Sequence, residues 1–295
     1  MEGSRHDHCF AGIAGIAAMS LVVIGLALFA AIMHATWNAF LRTGADRLWS
    51  VTVMSFSGTV VAVPFAISHL PVPNAWPYVI LSACLQVAYS VFLVAAYRNG
   101  ELGQVYPIVR GSVPLLVTLG GALVVHQYPT VPQAIGVTLI ALGIMSLSLG
   151  KGRAATTSIL FALATGVIIA SYATVDAIGV RTAGSSESYV AWVLVIYGIL
   201  LPTTFVALRG KLTVDFRATE TLKALGGGLV ALISYGVVVA AFSLGPAGPI
   251  TAIRETSVVF AALIGRFFLG ETLRPRRIVA CVIVALGAIS IGYRS

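Results

Sequence analysis

The chain has 295 residues, of which 58% are hydrophobic and only 9% are charged, and its mean hydropathy is +0.98. Soluble domains carry about 25% charged residues, so a soluble fold of this composition would lack the polar residues that cover a water-facing surface. The formal net charge is +8, but lysines and arginines stand singly or in pairs between apolar runs and form no basic stripe. This distribution is typical of charges at membrane interfaces and argues against a nucleic-acid partner.

Ten apolar segments are long enough to cross a bilayer, because a helix of about 20 residues spans roughly 30 Å of hydrocarbon. We predict spans at residues 20–41, 49–69, 76–97, 103–125, 131–149, 155–180, 189–208, 223–244, 249–269 and 277–293. Prolines, glycines and charged residues separate these segments, as expected of connecting turns. The uncharged stretch Ala11–Leu41 exceeds one upright span, so either the first helix tilts or Ala11–Met19 lies at the interface.

Basic residues in the connections predict the orientation of the chain. The connections after spans 1, 3, 5, 7 and 9 hold Arg42, Arg47, Arg98, Lys151, Arg153, Arg209, Lys211, Arg217, Lys223, Arg274, Arg276 and Arg277. The opposite side holds only Arg5, Arg181 and Arg294. The positive-inside rule therefore places the first set in the cytoplasm and both termini outside the cell membrane.

The two halves of the chain resemble each other. Ala141-Leu142-Gly143 reappears as Ala285-Leu286-Gly287 at an offset of 144 residues, and the same offset pairs Arg110 with Arg254. An offset of 138 sets His34-Ala-Thr-Trp-Asn38 against Tyr172-Ala-Thr-Val-Asp176. Because five spans are an odd number, two homologous five-span units must be inserted in opposite orientations. The sequence thus predicts an all-α membrane protein with an N-terminal extension at residues 1–19 and two inverted five-helix repeats at 20–150 and 151–295, an arrangement typical of secondary transporters.

The chain resembles ten-helix members of the drug/metabolite transporter superfamily, of the EamA type. The resemblance is carried by the order and duplication of four segments: His34–Asn38, Tyr106–Ser112, Ile253–Ser257 and Gly270–Leu273. It implies a central cavity lined mainly by spans 3, 4, 8 and 9 with contributions from spans 1 and 6, and transport without ATP. His126-Gln127 departs from the Gly-Glu pair that such proteins often repeat in the first half, which confines any role of that carboxylate to Glu271.

Two arginines fall inside predicted spans, Arg110 in span 4 and Arg254 in span 9. An arginine in hydrocarbon costs at least a few kcal/mol, so each should face a cavity or a polar partner. One interpretation is that the pair binds an anionic group of a substrate through the donor forks of the guanidiniums. The other is that each arginine is structural and is satisfied by loop carbonyls or by a carboxylate. The prolines at 107, 114, 246 and 249 favour spans 4 and 9 as cavity helices, because interrupted backbone is tolerated in lipid only beside protein or water.

Two carboxylates are candidates for carrying a coupling proton. Glu255 follows Arg254 directly, and since adjacent helical residues do not face each other, we expect their side chains to point in different directions. Glu255 would then carry a proton or pair with a cation on another helix. For Asp176, near the end of span 6, we expect a helix cap or a place in interfacial water, with titration during transport as the alternative.

The predicted substrate site comprises Arg110, Arg254, Tyr106, His34, Trp37 and Asn38. His34 is either a proton shuttle, given its unperturbed pKa of about 6.5, or the partner of one interhelical hydrogen bond. Tyr106 is selected because it lies beside Pro107 and Arg110. Four further tyrosines could line the cavity, with their hydroxyls as donors to a substrate, but aromatic residues of membrane helices more often face lipid or pack; these are Tyr89, Tyr97, Tyr172 and Tyr235.

A secondary transporter, an exporter of a small polar or anionic metabolite that works by rocking of the two halves, is the leading functional hypothesis. A cationic-drug/proton antiporter is the alternative within transport, with Glu255 or Asp176 as the carboxylate.

An intramembrane enzyme would need a catalytic constellation, and the sequence holds no HExxH pair, GxSxG elbow or Walker loop. The three cysteines show no metal-ligand or disulfide spacing, so no metal or cofactor is predicted. A scaffold would have little reason to keep two arginines in lipid. The expected partners are a small-molecule substrate and the bilayer, with coupling to protons and a homodimer left open.

Overall fold

The computed structural model describes residues 19–42, 46–98, 102–149, 156–268 and 274–293. Within these residues ten membrane-spanning units are formed. They are α1 (Leu21–Arg42), α2 (Arg47–Ser68), α3 (Trp76–Arg98), α4 (Leu102–Val124), α5 (Val131–Met145), α6 (Thr156–Ala183), α7 (Ser186–Arg209), α8 (Thr219–Leu244), the broken pair α9a (Ala247–Arg254) and α9b (Ser257–Phe268), and α10 (Pro275–Gly292). The predicted all-α, ten-span fold is confirmed. The placement of residues 11–18 and the role of Glu271 fall outside the described residues.

Side-chain caps fix several helix beginnings close to the end of the preceding helix. The Asp46 carboxylate accepts hydrogen bonds from the backbone N–H groups of Leu48 and Trp49, at 3.0 and 3.2 Å, at the start of α2. Thr130 and Gln133 form a reciprocal capping box at the start of α5. These oxygens satisfy N–H groups that have no partner within the helix, so α2 and α5 begin at defined residues and turn back antiparallel to the helix before.

The packing of the helices has the symmetry expected of two inverted repeats. Helix α1 packs along α8, and α3 packs along α6; helix α4 packs on α6, and the α9a–α9b pair packs on α1. At the junctions, α2 meets α7 and α5 meets α10. This set of contacts maps onto itself when every helix is exchanged for its counterpart in the other half. The two five-helix units are therefore related by an approximate twofold relation, and they face each other through α1, α3, α4, α6, α8 and α9a.

Glycines allow the closest of these helix contacts. A methyl group added at Gly136 of α5 would collide with the Gly287 carbonyl of α10, and one added at Gly287 would lie 2.7 Å from the Gly136 carbonyl. On α8, a methyl group at Gly228 would collide with the Met54 carbonyl and the Ser57 hydroxyl of α2. Lipid supplies no hydrophobic drive for helix association, so stability depends on such close van der Waals contact.

The glycine triplet at the start of α8 offers a matched test of this packing. We expect Gly228→Ala to destabilise the protein by about 1–3 kcal/mol, because backbone atoms of α2 would have to move. Gly226→Ala should be neutral or slightly stabilising, since nothing lies within 4 Å of its added methyl group and alanine is the better helix former. Melting of the detergent-purified variants, followed by fluorescence-detected size exclusion, compares them. Equal melting temperatures would contradict the assigned α2–α8 contact.

The orientation predicted from the basic connections is also open to direct measurement. A C-terminal alkaline phosphatase fusion should be active and a C-terminal green fluorescent protein fusion should be dark, because an even number of spans places both termini on one side and the basic connections predict that this side is outside. Both fusions are measured on the full chain in a bacterial host. A bright fluorescent fusion together with an inactive phosphatase would show that the chain is inserted the other way.

Candidate functional site

A cavity of about 160 Å³ lies between the two halves. Its walls come from α1, α3, α4, α6, α8 and α9a, as the family resemblance implies, and also from α2 and α7, which that expectation left out. The cavity extends from Arg110 and Arg254 in the middle of the helices to Arg47 and Leu48 at the start of α2. Its mouth therefore lies on the side of the α1–α2 connection, the side that carries the basic connections.

The two intramembrane arginines meet on one carboxylate. Arg110 of α4 and Arg254 of α9a are each 6% exposed, and Glu255 is 1% exposed. The Arg110 Nε atom lies 3.0 Å from Glu255 Oε2, and Arg254 Nη2 lies 3.3 Å from Glu255 Oε1. The Arg110 contact is an ion pair without an aligned hydrogen bond, since its Nε–H has no hydrogen-bond acceptor. Equivalent residues of the two repeats thus share a single counter-ion.

The expected divergence of Arg254 and Glu255 is wrong. The α-helix ends at Arg254, and Glu255 and Thr256 form a tight turn before α9b begins at Ser257. The Thr256 N–H bonds to the Ile253 carbonyl at 3.0 Å, an i to i+3 contact in place of the α-helical one. The rule that adjacent helical residues point apart does not apply across this break, so the Glu255 carboxylate turns back onto the guanidinium of its neighbour.

The arginine pair retains an unused donor and an excess of positive charge. The Nε–H of Arg254 makes no hydrogen bond, although the side chain lines the cavity. Two guanidiniums and the single carboxylate of Glu255 leave a net charge of about +1 at the inner end of the cavity. Taken together, this is the arrangement that would receive one carboxylate or phosphonate group.

His34 and Trp37 form the α1 side of the same site. The Trp37 indole N–H donates to His34 Nδ1 at 3.2 Å, and the two rings lie edge to face with centroids 5.0 Å apart. On its other side, His34 Nε2 contacts Arg110 Nη2. Both neighbours are donors, and a neutral imidazole carries one acceptor nitrogen. His34 therefore satisfies only one of them at a time, and its tautomer selects which.

Two of the predicted site residues lie outside the cavity wall. The Tyr106 ring stacks under Arg110, with the guanidinium carbon 5.8 Å from the ring centroid, but Tyr106 does not line the cavity. The Asn38 amide donates to the His34 carbonyl of its own helix at 2.7 Å. Tyr106 therefore supports Arg110 from behind, and Asn38 stabilises the backbone of α1.

The interpretation of Asp176 as a helix cap or an interfacial residue is wrong. Asp176 lies inside α6, seven residues before its end, and is 1% exposed. Its Oδ1 accepts hydrogen bonds from Ser82 Oγ at 2.5 Å and Tyr189 OH at 2.9 Å, and its Oδ2 accepts from Tyr235 OH at 3.1 Å. The Gln86 amide, which donates to Ser82 and Tyr235, completes the cluster. The position predicted from the repeat holds a buried carboxylate bound by neutral donors.

The cavity wall contains tyrosines that sequence reasoning assigned to lipid or to packing. Tyr89, Tyr172 and Tyr235 line the cavity, and so does Tyr197, whose hydroxyl lies 3.3 Å from that of Ser90. The rings of Tyr89 and Tyr172 are 6.1 Å apart. A signal existed only for Tyr172, because it occupies the repeat position of His34. The side chain of Tyr97 falls outside the described residues.

The end of the bundle opposite the mouth is held closed by a second polar cluster. Arg181, in the last turn of α6, donates from Nη2 to the Gly245 carbonyl at 2.6 Å. The Gln127 side chain lies against the same guanidinium, with its amide oxygen as the acceptor. These contacts join the α4–α5 connection of the first half to the α8–α9a connection of the second.

Comparisons with known proteins agree with this architecture. One solved structure, described as the crystal structure of a protein, superposes with a TM-score of 0.72 over 91% of this chain and 94% of that chain, at 17% sequence identity. A search of curated proteins finds no match. The EamA-like transporter family matches twice, over residues 21–149 and 156–293, which is one match for each half. On that match over nearly the whole sequence, this multi-pass membrane protein belongs to the EamA-like transporter family.

Proposed function

We propose that this protein is a secondary transporter of the cell membrane that exports a small organic monoanion by alternating access. The observation that carries the proposal is the meeting of Arg110 and Arg254 on Glu255, which leaves one positive charge beside the cavity. A dianion would exceed this charge, and a cation would meet a site already positive. A monocarboxylate fits the charge and the fork geometry of Arg254.

The cavity walls indicate the rest of the substrate. Trp37 and the tyrosines of α3, α6, α7 and α8 surround the space below the arginines, together with the Gln86 amide and the Ser90 hydroxyl. Aromatic rings offer apolar faces, and their hydroxyls offer a few oriented hydrogen bonds. This combination suits a small molecule with an apolar or aromatic body and one anionic end.

The direction of transport is inferred from the side on which the cavity opens. The mouth is bordered by residues next to the α1–α2 connection, which belongs to the basic and therefore cytoplasmic side. Loading from the cytoplasm is the first step of export. Rocking of the two halves about the shared site would then expose the substrate on the other side.

The cationic-drug/proton antiporter remains the second candidate because one buried carboxylate, Asp176, makes no ion pair among the described residues. Glu255 does not fit this role, since two arginines already neutralise it. The two candidates differ in the charge of the molecule that is carried, which a flux assay can read directly.

Uptake into proteoliposomes separates the two. We expect the protein to carry labelled benzoate, a monoanion, faster than succinate, a dianion, or tetraphenylphosphonium, a cation. Among aliphatic acids, butyrate tests whether an aromatic body is needed. Selective tetraphenylphosphonium flux, with none of the carboxylates carried, would favour the antiporter and overturn the anion site.

Arginine variants test the site itself. Arg254→Gln should raise the benzoate concentration that gives half-maximal flux by about 10- to 100-fold, because a hydrogen bond to a charged group contributes roughly 1.5–3 kcal/mol. Arg254→Lys should recover part of the loss, since lysine keeps the charge but not the fork. The matched control is Arg266→Gln, an exposed arginine at the end of α9b. Unchanged flux in Arg254→Gln would remove Arg254 from the site.

Glu255 tests the charge balance of the pair. Glu255→Gln leaves two buried guanidiniums without a counter-ion, and we expect a loss of about 3–5 kcal/mol in stability, as for other broken buried ion pairs. Adding Arg110→Gln to Glu255→Gln should restore part of the melting temperature by removing one of the two charges. If the double variant melts no higher than the single variant, Glu255 does not act as the shared counter-ion.

A further inference from the structure

The four charged side chains that the described residues bury in the bundle are two arginines and two carboxylates: Arg110, Arg254, Glu255 and Asp176. Three of them form the ion-paired cluster at the inner end of the cavity. Asp176 stands apart, because its hydrogen bonds come from hydroxyl groups and not from a cation. A buried carboxylate is costly when ionised unless it is well paired, so this site is suited to holding a proton during part of a transport cycle.

The hydroxyl donors tie the two halves together beside Asp176. Ser82 belongs to α3 in the first half, while Asp176, Tyr189 and Tyr235 belong to α6, α7 and α8 in the second. Ser82 and Tyr189 lie near the beginnings of α3 and α7, on the side of the membrane opposite the mouth of the cavity. An ionised Asp176 therefore holds α3 against the second half at the closed end.

Tyr235 connects this carboxylate to the cavity. Its hydroxyl donates to Asp176 Oδ2 at 3.1 Å, and the same residue lines the cavity, whereas Asp176 does not. A hydronium ion in the cavity can donate a proton to the Tyr235 oxygen, leaving water, while the hydroxyl proton of Tyr235 passes to Oδ2. The tyrosine is neutral before and after, and the carboxylate becomes a carboxylic acid. With the proton on Oδ2, Oδ1 becomes a neutral carbonyl oxygen. Hydrogen bonds to an ionised acceptor are roughly twice as strong as those to a neutral one, so the bonds from Ser82 and Tyr189 to Oδ1 weaken.

The groups around Asp176 leave it as the residue whose charge changes most readily. The ionisable side chains that act on it are Tyr189 from α7, Tyr235 from α8, Tyr172 from α6 itself and Arg254 from α9a. From α3, the neutral Ser82 bonds to the carboxylate and Gln86 bonds to Ser82, while Tyr89 reaches Tyr172 of α6. Helix α4 meets this part of α6 through Gly120, next to Thr174. Tyrosines ionise near pH 10 and arginine above pH 12, outside the range in which a buried carboxyl group titrates.

We propose that Asp176 binds a coupling proton, delivered through Tyr235, and that this proton releases the closed end of the cavity. The proposal deepens the transport function above and rests on it for its link to the substrate. With Asp176 ionised, the four buried charges sum to zero. A monoanion bound at Arg254 leaves one negative charge in excess, which a proton on Asp176 neutralises. Anion and proton therefore favour each other's binding and move together, as a neutral pair.

The experiment uses a cysteine as a reporter at the closed end and requires no substrate. Ala75, fully buried in the turn that precedes α3 and packs against α6, is replaced by Cys in a chain whose Cys9, Cys84 and Cys281 are changed to Ser. The full-length protein in proteoliposomes is treated with a membrane-impermeant maleimide. Because the thiolate is the reactive form and its share falls as the pH falls, each labelling rate is divided by the rate of the same variant unfolded in sodium dodecyl sulfate at the same pH. We expect this normalised rate for Ala75→Cys to be roughly tenfold higher at pH 5 than at pH 8, the size of a modest population shift.

A variant of the carboxylate decides the outcome. Adding Asp176→Asn, which mimics the protonated group, should make the normalised labelling rate high and equal at both pH values. The matched control Glu187→Gln changes an exposed carboxylate on the same side of the protein and should leave the pH dependence intact. A normalised rate that does not depend on pH with Asp176 present, or that still depends on pH in Asp176→Asn, overturns the proposal. Either result leaves the arginine site to be judged by benzoate flux alone, so the two ideas fail separately.

Discussion

The cost of placing charge in hydrocarbon governs this structure. An arginine or a carboxylate inside a bilayer is tolerated only when it faces a polar space and is neutralised or hydrogen-bonded there. The four charges that are buried among the described residues lie around one cavity and are satisfied in two different ways, by ion pairing at Glu255 and by hydroxyl donors at Asp176. The helix packing follows from this requirement, because every helix that supplies a charge or a donor must reach the same axis.

The internal repeat brings the polar residues of both halves to the centre of the bundle. Arg110 and Arg254 occupy matching positions, so the approximate twofold relation brings both to the centre. The same relation brings Tyr172 opposite His34 and places Asp176 at the position that corresponds to Asn38. The two members of the last pair differ in chemistry. The Asn38 side chain bonds to the backbone of its own helix, whereas the Asp176 carboxylate on α6 accepts hydrogen bonds from α3, α7 and α8. Inverted symmetry sets the scaffold, and this divergence distinguishes the two ends of the cavity.

Much of the fold was predictable, because span length and hydropathy depend on local composition. The inverted arrangement also followed, since it requires only an odd number of spans in each repeat. The site was predictable where the repeat carried a rare residue, as at Arg110 and Arg254. It was not predictable where geometry depends on a local break or a distant partner. Nothing in Glu255 or Thr256 indicates that α9 is interrupted there, and nothing near Asp176 indicates donors 94 residues away on α3 and 59 residues away on α8. The wall tyrosines were missed for a similar reason, because the same residue type serves equally at lipid interfaces.

The interruption of α9 has a mechanical consequence. Helices α9a and α9b are joined by a turn in which the α-helical hydrogen-bond pattern is interrupted. The shared counter-ion Glu255 lies in this turn. A molecule that binds the guanidinium of Arg254 would exert its force next to this break, where the chain bends more easily than within a continuous helix. Binding at Arg254 would then change the angle between α9a and α9b, so the segment that contacts the bound molecule would also be the segment that bends.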